Sequence, residues 1–208
     1  MMQKYLLIIA AWLLMSAHAW AQTAQDILNE TAQRFQKSSG TVVAFTAAGG
    51  MEGAQTVTGT ITLKGEQFAL KTNVIQAWFD GTTLWTIYQG SNEVNVSHPT
   101  PEEIQAMNPM YFMTLYQKGY ALNMKNTTHS GRGAHEVKMT AQSKKASVQE
   151  LIVCIDKSQK RPYYVKLRKG KQWMNIDINS YRENQKVAQD AFVFNPKNYP
   201  DFEVIDLR

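Results

Sequence analysis

Three turn signals cut residues 56–97 into short runs of alternating apolar and polar side chains, a spacing that points to an antiparallel meander of about five strands. Gly65-Glu66 and Gly90-Ser91 read as two-residue turns with glycine first, and Asp80-Gly81 suits a turn that needs positive φ at both central positions. The first turn sets Leu63 opposite Phe68 and Ile61 opposite Leu70, so these four share one face. The second, taken as a two-residue loop, sets Phe79 opposite Thr82, Trp78 opposite Thr83 and Gln76 opposite Trp85. The third sets Ile87 opposite Val94 and Trp85 opposite Val96. Directly paired residues share a face, so Trp78, Trp85, Ile87, Val94 and Val96 form an apolar, tryptophan-bearing surface that protein or ligand must cover. The register across Asn73 is not fixed by its own residues, which leaves open whether the Phe68/Leu70 face continues the tryptophan face.

The rest of the chain extends this pattern. Lys4, the apolar run Tyr5 to Met15 and the small-x-small triplet Ala19-Trp20-Ala21 read as a cleaved export signal over residues 1–21. Removing those 21 of 208 residues leaves 187, a size suited to one domain, residues 22–208, with a sizeable core. Thr23 to Lys37 reads as an amphipathic helix capped by Thr23 and Asp26. A second helical region begins at Thr100-Pro101-Glu102-Glu103 and restarts at Asn108-Pro109, carrying Met110, Phe112, Met113, Leu115 and Tyr116 up to Gly119. Strands resume with the alternation of His135, Val137 and Met139, then Val148 to Asp156, Arg161 to Lys169 and Gln172 to Tyr181. The tail from Asp190 to Arg208 keeps enough apolar side chains to be ordered.

Charge is uneven. Residues 22–120 hold 5 basic and 8 acidic side chains, whereas residues 121–208 hold 16 basic and 9 acidic. Lys138, Lys166 and Arg168 fall on alternate positions, the outer face of a half-buried sheet. A solvated face explains them; a docking surface for anionic lipid or an acidic partner is the sharper alternative. No aromatic-basic motif for nucleic acid is present. The single cysteine, Cys154, sits in an apolar strand and reads as a small buried hydrophobe. Nothing marks an enzyme: there is no nucleophile elbow and no phosphate loop. His129 and His135 are not at a helical metal spacing. No cofactor or metal is expected. An antiparallel sheet plugged by Met- and Phe-bearing helices can instead enclose an apolar ligand, since binding a fatty chain needs area rather than reactive groups.

Phe79-Asp80-Gly81-Thr82-Thr83-Leu84-Trp85 resembles the Asp-Gly-x-x-Leu-Trp hairpin of the periplasmic carriers of outer-membrane lipoproteins, the LolA-like family. Other segments match that family in order: the leader, the first helix, Ala44-Phe45-Thr46, Gly59-Thr60-Ile61-Thr62-Leu63-Lys64, the Asn108-Pro109 helix and Phe192-Val193-Phe194-Asn195-Pro196. The resemblance implies a mainly β fold with α elements (α+β), an incomplete antiparallel barrel or strongly curved sheet plugged by short helices around a hydrophobic cavity. It implies a non-enzymatic, monomeric periplasmic carrier that binds the acyl chains of lipoproteins and ferries them from inner to outer membrane. An inner-membrane ABC transporter as loader and an outer-membrane acceptor are implied with it. A lipid- or lipoprotein-sensing regulatory module of the same shape is the alternative. Phe68, Leu70, Trp78, Trp85, Ile87, Phe112, Met113 and Leu115 are the residues expected to touch the acyl chain, with Trp85→Glu weakening uptake. One departure stands out: better-known members place a basic residue and proline where this chain has Gly65-Glu66, so no lid latch carries over.

Overall fold

A computed structural model describes residues 22–50, 53–107, 115–117 and 119–208. The leader and most of the Asn108-Pro109 helix, including Phe112 and Met113, lie outside the described residues.

Helix α1 spans Ala24–Lys37. Thr23 accepts from the Asp26 amide while the Asp26 carboxylate accepts from the Thr23 amide, so two otherwise unpaired donors are satisfied at its start. Twelve strands follow: β1 Thr41–Gly49, β2 Val57–Lys64, β3 Gln67–Thr72, β4 Ile75–Phe79, β5 Leu84–Tyr88, β6 Glu93–Ser97, β7 Tyr120–His129, β8 Arg132–Ala141, β9 Glu150–Asp156, β10 Pro162–Lys169, β11 Gln172–Arg182 and β12 Glu203–Asp206. Helix α2, Pro101–Met107, separates β6 from β7 and starts at the Thr100/Glu103 capping box expected from its residues. Leu115 to Gln117 form one 3-10 turn.

The strands make one sheet in the order β12-β6-β5-β4-β3-β2-β1-β11-β10-β9-β8-β7. Every pairing is antiparallel except β12 beside β6. The outermost strands do not pair, so the sheet is an incomplete, curved barrel rather than a closed one. An irregularity between Ala44 and Phe45, where β1 meets β11, adds local twist near its middle.

Gly59 permits the tight approach of β2 to β3. A Cβ there would lie 2.4 Å from the Lys71 carbonyl oxygen and 2.6 Å from Thr72 Cγ2. The obstacle is backbone, which gives little. Gly59→Ala is expected to lower the denaturant midpoint by an amount equivalent to about 1–3 kcal/mol; an unchanged midpoint would show that the two strands separate freely there.

The strand registers decide which residues share a surface. Leu63 pairs with Phe68 and Ile61 with Leu70, as the Gly65-Glu66 turn requires. Trp85 pairs with Val96, as expected across Gly90-Ser91. The Asp80 turn is longer than its sequence implies, because Trp78 pairs with Trp85 and Phe79 with Leu84. The Asp80 side chain accepts from the amides of Thr82 and Thr83, each at 2.8 Å, which stabilises a four-residue loop over the two-residue one. The shift is two residues, so every side chain keeps its face.

The open question at Asn73 is settled by a two-residue turn. Thr72 Oγ1 accepts from the amides of Val74 and Ile75 and donates to the Ile75 carbonyl, while Asn73 ties the turn to Thr58. Phe68 therefore pairs with Phe79, Ala69 with Trp78 and Leu70 with Ala77. Trp78 alternates with, and lies opposite to, Phe68 and Leu70.

Candidate functional site: the apolar inner face

The sheet has two unlike faces. The inner face is crossed by rows of paired apolar residues. One row runs Val43, Ile61, Leu70 and Ala77. Another runs Val57, Ala47, Ile176, Val165, Val153, Val137 and Met124. A third runs Met174, Leu167, Leu151, Met139 and Leu122. Ile27 and Leu28 of α1, with Leu115 and Tyr116, are buried in the same cluster, and Ile104 and Met107 of α2 pack against it. The two helices and the 3-10 turn thus cover the inner face. Tyr116 donates to the Asn29 side chain, which couples the turn to α1.

Burial along this face is uneven. Ile61, Phe68, Ala77, Leu151 and Met139 are fully buried. Towards the end where β1, β3, β5 and β10 finish, Val57, Ile75, Leu122 and Met174 are only partly buried. Tyr88, opposite Ile75 on the same face, is 55% exposed. Cover is therefore uneven rather than closed at one end: Leu167, Leu151 and Met139, between Met174 and Leu122 in one row, are buried, and Ile178 and Tyr181 towards the Phe68 end are partly buried.

The outer face of β4 to β6 carries Trp78, Trp85, Ile87, Val94 and Val96, and it is the chain's own tail that covers it. Ile87, Val94 and Phe194 form a second small core with Trp78, Trp85, Tyr199 and Phe202 packed on it. Trp78 meets Phe194 and Tyr199 edge-on, with ring centroids 5.6 and 5.9 Å away. Tyr199 donates to the Gln76 side chain at 2.9 Å, and β12 then adds to the sheet beside β6.

The eight residues expected to line one acyl cavity therefore do not line one surface. Phe68, Leu70 and Leu115 belong to the inner cluster, whereas Trp78, Trp85 and Ile87 belong to the outer one. The grouping of Trp78, Trp85 and Ile87 with Phe68 and Leu70 is corrected by the Asn73-Val74 turn, which sets the two sets on opposite sides. Inner-face residues not among those eight include Val57, Ile75, Ile104, Met107, Leu122, Met124 and Met174. The signal for the β7 members was present, since Tyr120, Leu122 and Met124 alternate with Ala121, Asn123 and Lys125.

The ionisable groups serve the scaffold. On the outer face of the C-terminal half Lys138 and Arg168 both pair with Glu150, at 2.6 and 2.5 Å, and Lys125 pairs with Glu136 at 2.7 Å. Hydrogen bonds from Lys138 and Arg168 hold the Glu150 carboxyl below the usual range. Lys166 lies over the Tyr164 ring. Cys154 is fully buried, and burial pushes its thiol pKa up, away from reactivity. His129 stacks on Tyr163 with centroids 4.5 Å apart. Among the described residues, no group of three or more His, Cys, Asp or Glu side chains could hold a metal ion, and no helix is long and apolar enough to cross a membrane.

The chain is thus an open antiparallel half-barrel with helices laid on its apolar side. The family model described as outer membrane lipoprotein carrier protein LolA matches residues 15–171, and the chain belongs to that family. The match stops short of β11, so the tail that covers Trp78 and Trp85 falls outside it. No curated protein matches the chain. Among solved structures it is similar to a LolA superfamily protein from Nitrosomonas europaea, at 13% identity over 84% of this chain and 99% of the other, with a TM-score of 0.41. It is also similar to the lipoprotein LppX of Mycobacterium tuberculosis, at 12% identity over 81% of this chain and 100% of the other, with a TM-score of 0.47. LprF from Mycobacterium bovis is alike at 11% identity over 83% and 96%, with a TM-score of 0.48.

Proposed function

We propose that the chain is an exported carrier that binds the acyl chains of lipoproteins between the inner face of its sheet and the covering segment formed by α2 and residues 115–117. The continuity of that face supports this most: rows of apolar residues run from β4 to β7, and Val57, Ile75, Leu122, Met124 and Met174 within them are only partly buried. Each methylene moved from water onto such a surface gains roughly 0.8 kcal/mol, so one acyl chain can offset displacement of a short helical cover. Met107, Met124 and Met174 border the partly covered region, and flexible thioether side chains adapt to a chain of variable shape. Residues 1–21 would direct export to the periplasm, and residues 22–208 would act as one monomeric domain without catalysis or cofactor. In this reading an inner-membrane ABC transporter loads the carrier and an outer-membrane acceptor receives the cargo.

Two measurements test this together. Purified protein should take up a diacylated peptide from solution, and depletion of the protein in its own cell should leave lipoproteins in the inner membrane. Failure of uptake would remove the binding reading. Uptake without a sorting defect would remove transport and favour a lipoprotein-sensing role.

A further inference from the structure

The partly covered end of the inner face carries a group of cations that the sheet's ion pairs do not use. The β8–β9 connection holds Lys144 and Lys145, Lys169 ends β10, and Lys171 lies in the turn to β11. The two loops are tied into one surface. The Gln149 amide donates to the Arg168 carbonyl at 2.9 Å, its side-chain oxygen accepts from the Gly170 amide at 2.5 Å, and Arg168 donates to the Gly170 carbonyl at 2.8 Å. All four lysines are exposed, and none is in an ion pair with a described residue. The nearest acid on these strands, Glu150, is already paired with Lys138 and Arg168. Trp173, opposite Arg168 in the β10–β11 ladder and so on the outer side of the same rim, two residues from Lys171, is 38% exposed. Met174 and Leu122, the next apolar residues inward, end the inner-face row.

Four lysines without an ion pair among the described residues, with an exposed indole on the outer side of the same rim, match the two layers of a membrane boundary, where anionic headgroups meet cations and an amphipathic ring sits at the headgroup level. We propose that this end, Lys144, Lys145, Lys169, Lys171 and Trp173, docks on a membrane rich in anionic phospholipid and brings the partly covered inner face to the lipid. The outer-face cations Lys125, Lys138 and Arg168 take no part, because their charges are spent on Glu136 and Glu150. Docking extends the carrier reading, but its test scores adsorption to vesicles without cargo, so the two can fail separately.

The test is sedimentation of the mature protein with phosphatidylethanolamine vesicles, with and without phosphatidylglycerol, at low and physiological salt. Binding should require phosphatidylglycerol and weaken with salt. A lysine at an anionic surface is worth roughly fivefold in affinity, so Lys169→Glu with Lys171→Glu should lose roughly thirtyfold or more. Trp173→Ala should weaken binding with the salt dependence retained. The exposed pair Lys64 and Lys71 on β2 and β3 provides a matched control, and its reversal to glutamate should leave binding within a few-fold of wild type. Equal loss in the control pair would show adsorption by net charge alone and overturn the assignment. Absence of binding to anionic vesicles at low salt would overturn it too, leaving an acidic protein as the partner to seek.

Discussion

Met124→Glu is expected to abolish uptake of a diacylated peptide, while Trp85→Glu leaves it within a few-fold of wild type. Met124 sits on the edge strand β7, partly buried against the inner core and opposite Val137. A carboxylate there faces the acyl chain and must either stay charged in apolar surroundings or take up a proton. The cost is about 3 kcal/mol or more, which is roughly a hundredfold in affinity. Because β7 is an edge strand whose residues are half-exposed, the free protein tolerates the change better than it would in the centre of the sheet. Trp85 is as apolar and aromatic as any ligand contact, but it lies on the face that Phe194, Tyr199 and Phe202 cover. Titration of both variants with a fluorescent diacyl peptide checks this, with circular dichroism to show that each is folded. Loss of uptake in Trp85→Glu with retention in Met124→Glu would move the acyl site to the outer face.

Phe68→Ala should be the most destabilising of the single truncations considered. The side chain is fully buried, its ring centroid is 5.4 Å from that of Phe79, and Leu63 pairs beside it. Removing such a ring from a packed site costs about 3–5 kcal/mol, a large share of the 5–15 kcal/mol typical of a domain. Chemical denaturation of the mature protein would read this as a lower midpoint at unchanged slope. A loss below about 1 kcal/mol would mean that the inner face around Phe68 is loosely filled, which would place empty space there rather than beside Tyr88.

The local elements of this fold are legible in the sequence because short-range chemistry sets them. Thr23 with Asp26 and Thr100 with Glu103 announce the two helix starts, and Gly65-Glu66 and Gly90-Ser91 fix two hairpin registers. The Asp80 loop is longer than its dipeptide suggests, yet a two-residue slip leaves the faces intact. The candidate site was harder to read because it depends on parity at a turn with no glycine. At Asn73-Val74 the deciding groups are the Thr72 hydroxyl and the Asn73 side chain, whose partners lie within the turn and across it on Thr58. A one-residue error there moves both tryptophans to the wrong side. The cover of the outer face was hidden for a different reason. Phe194 and Tyr199 meet Trp78 from more than a hundred residues away, and β12 is a four-residue strand paired in parallel with β6. No local periodicity reports contacts of that kind. An exposed row of tryptophans read from sequence is therefore as consistent with a self-covered surface as with an open ligand face.

Which face of the sheet holds the acyl chain decides the proposed function. A diacyl peptide with a photoreactive group near the chain terminus, bound to the purified protein and irradiated, would mark its neighbours directly, and mass spectrometry would locate them. Adducts on Leu122, Met124, Met174 or Ile104 are the expected result. Adducts confined to Trp78, Trp85 and the Phe194–Phe202 segment would contradict it.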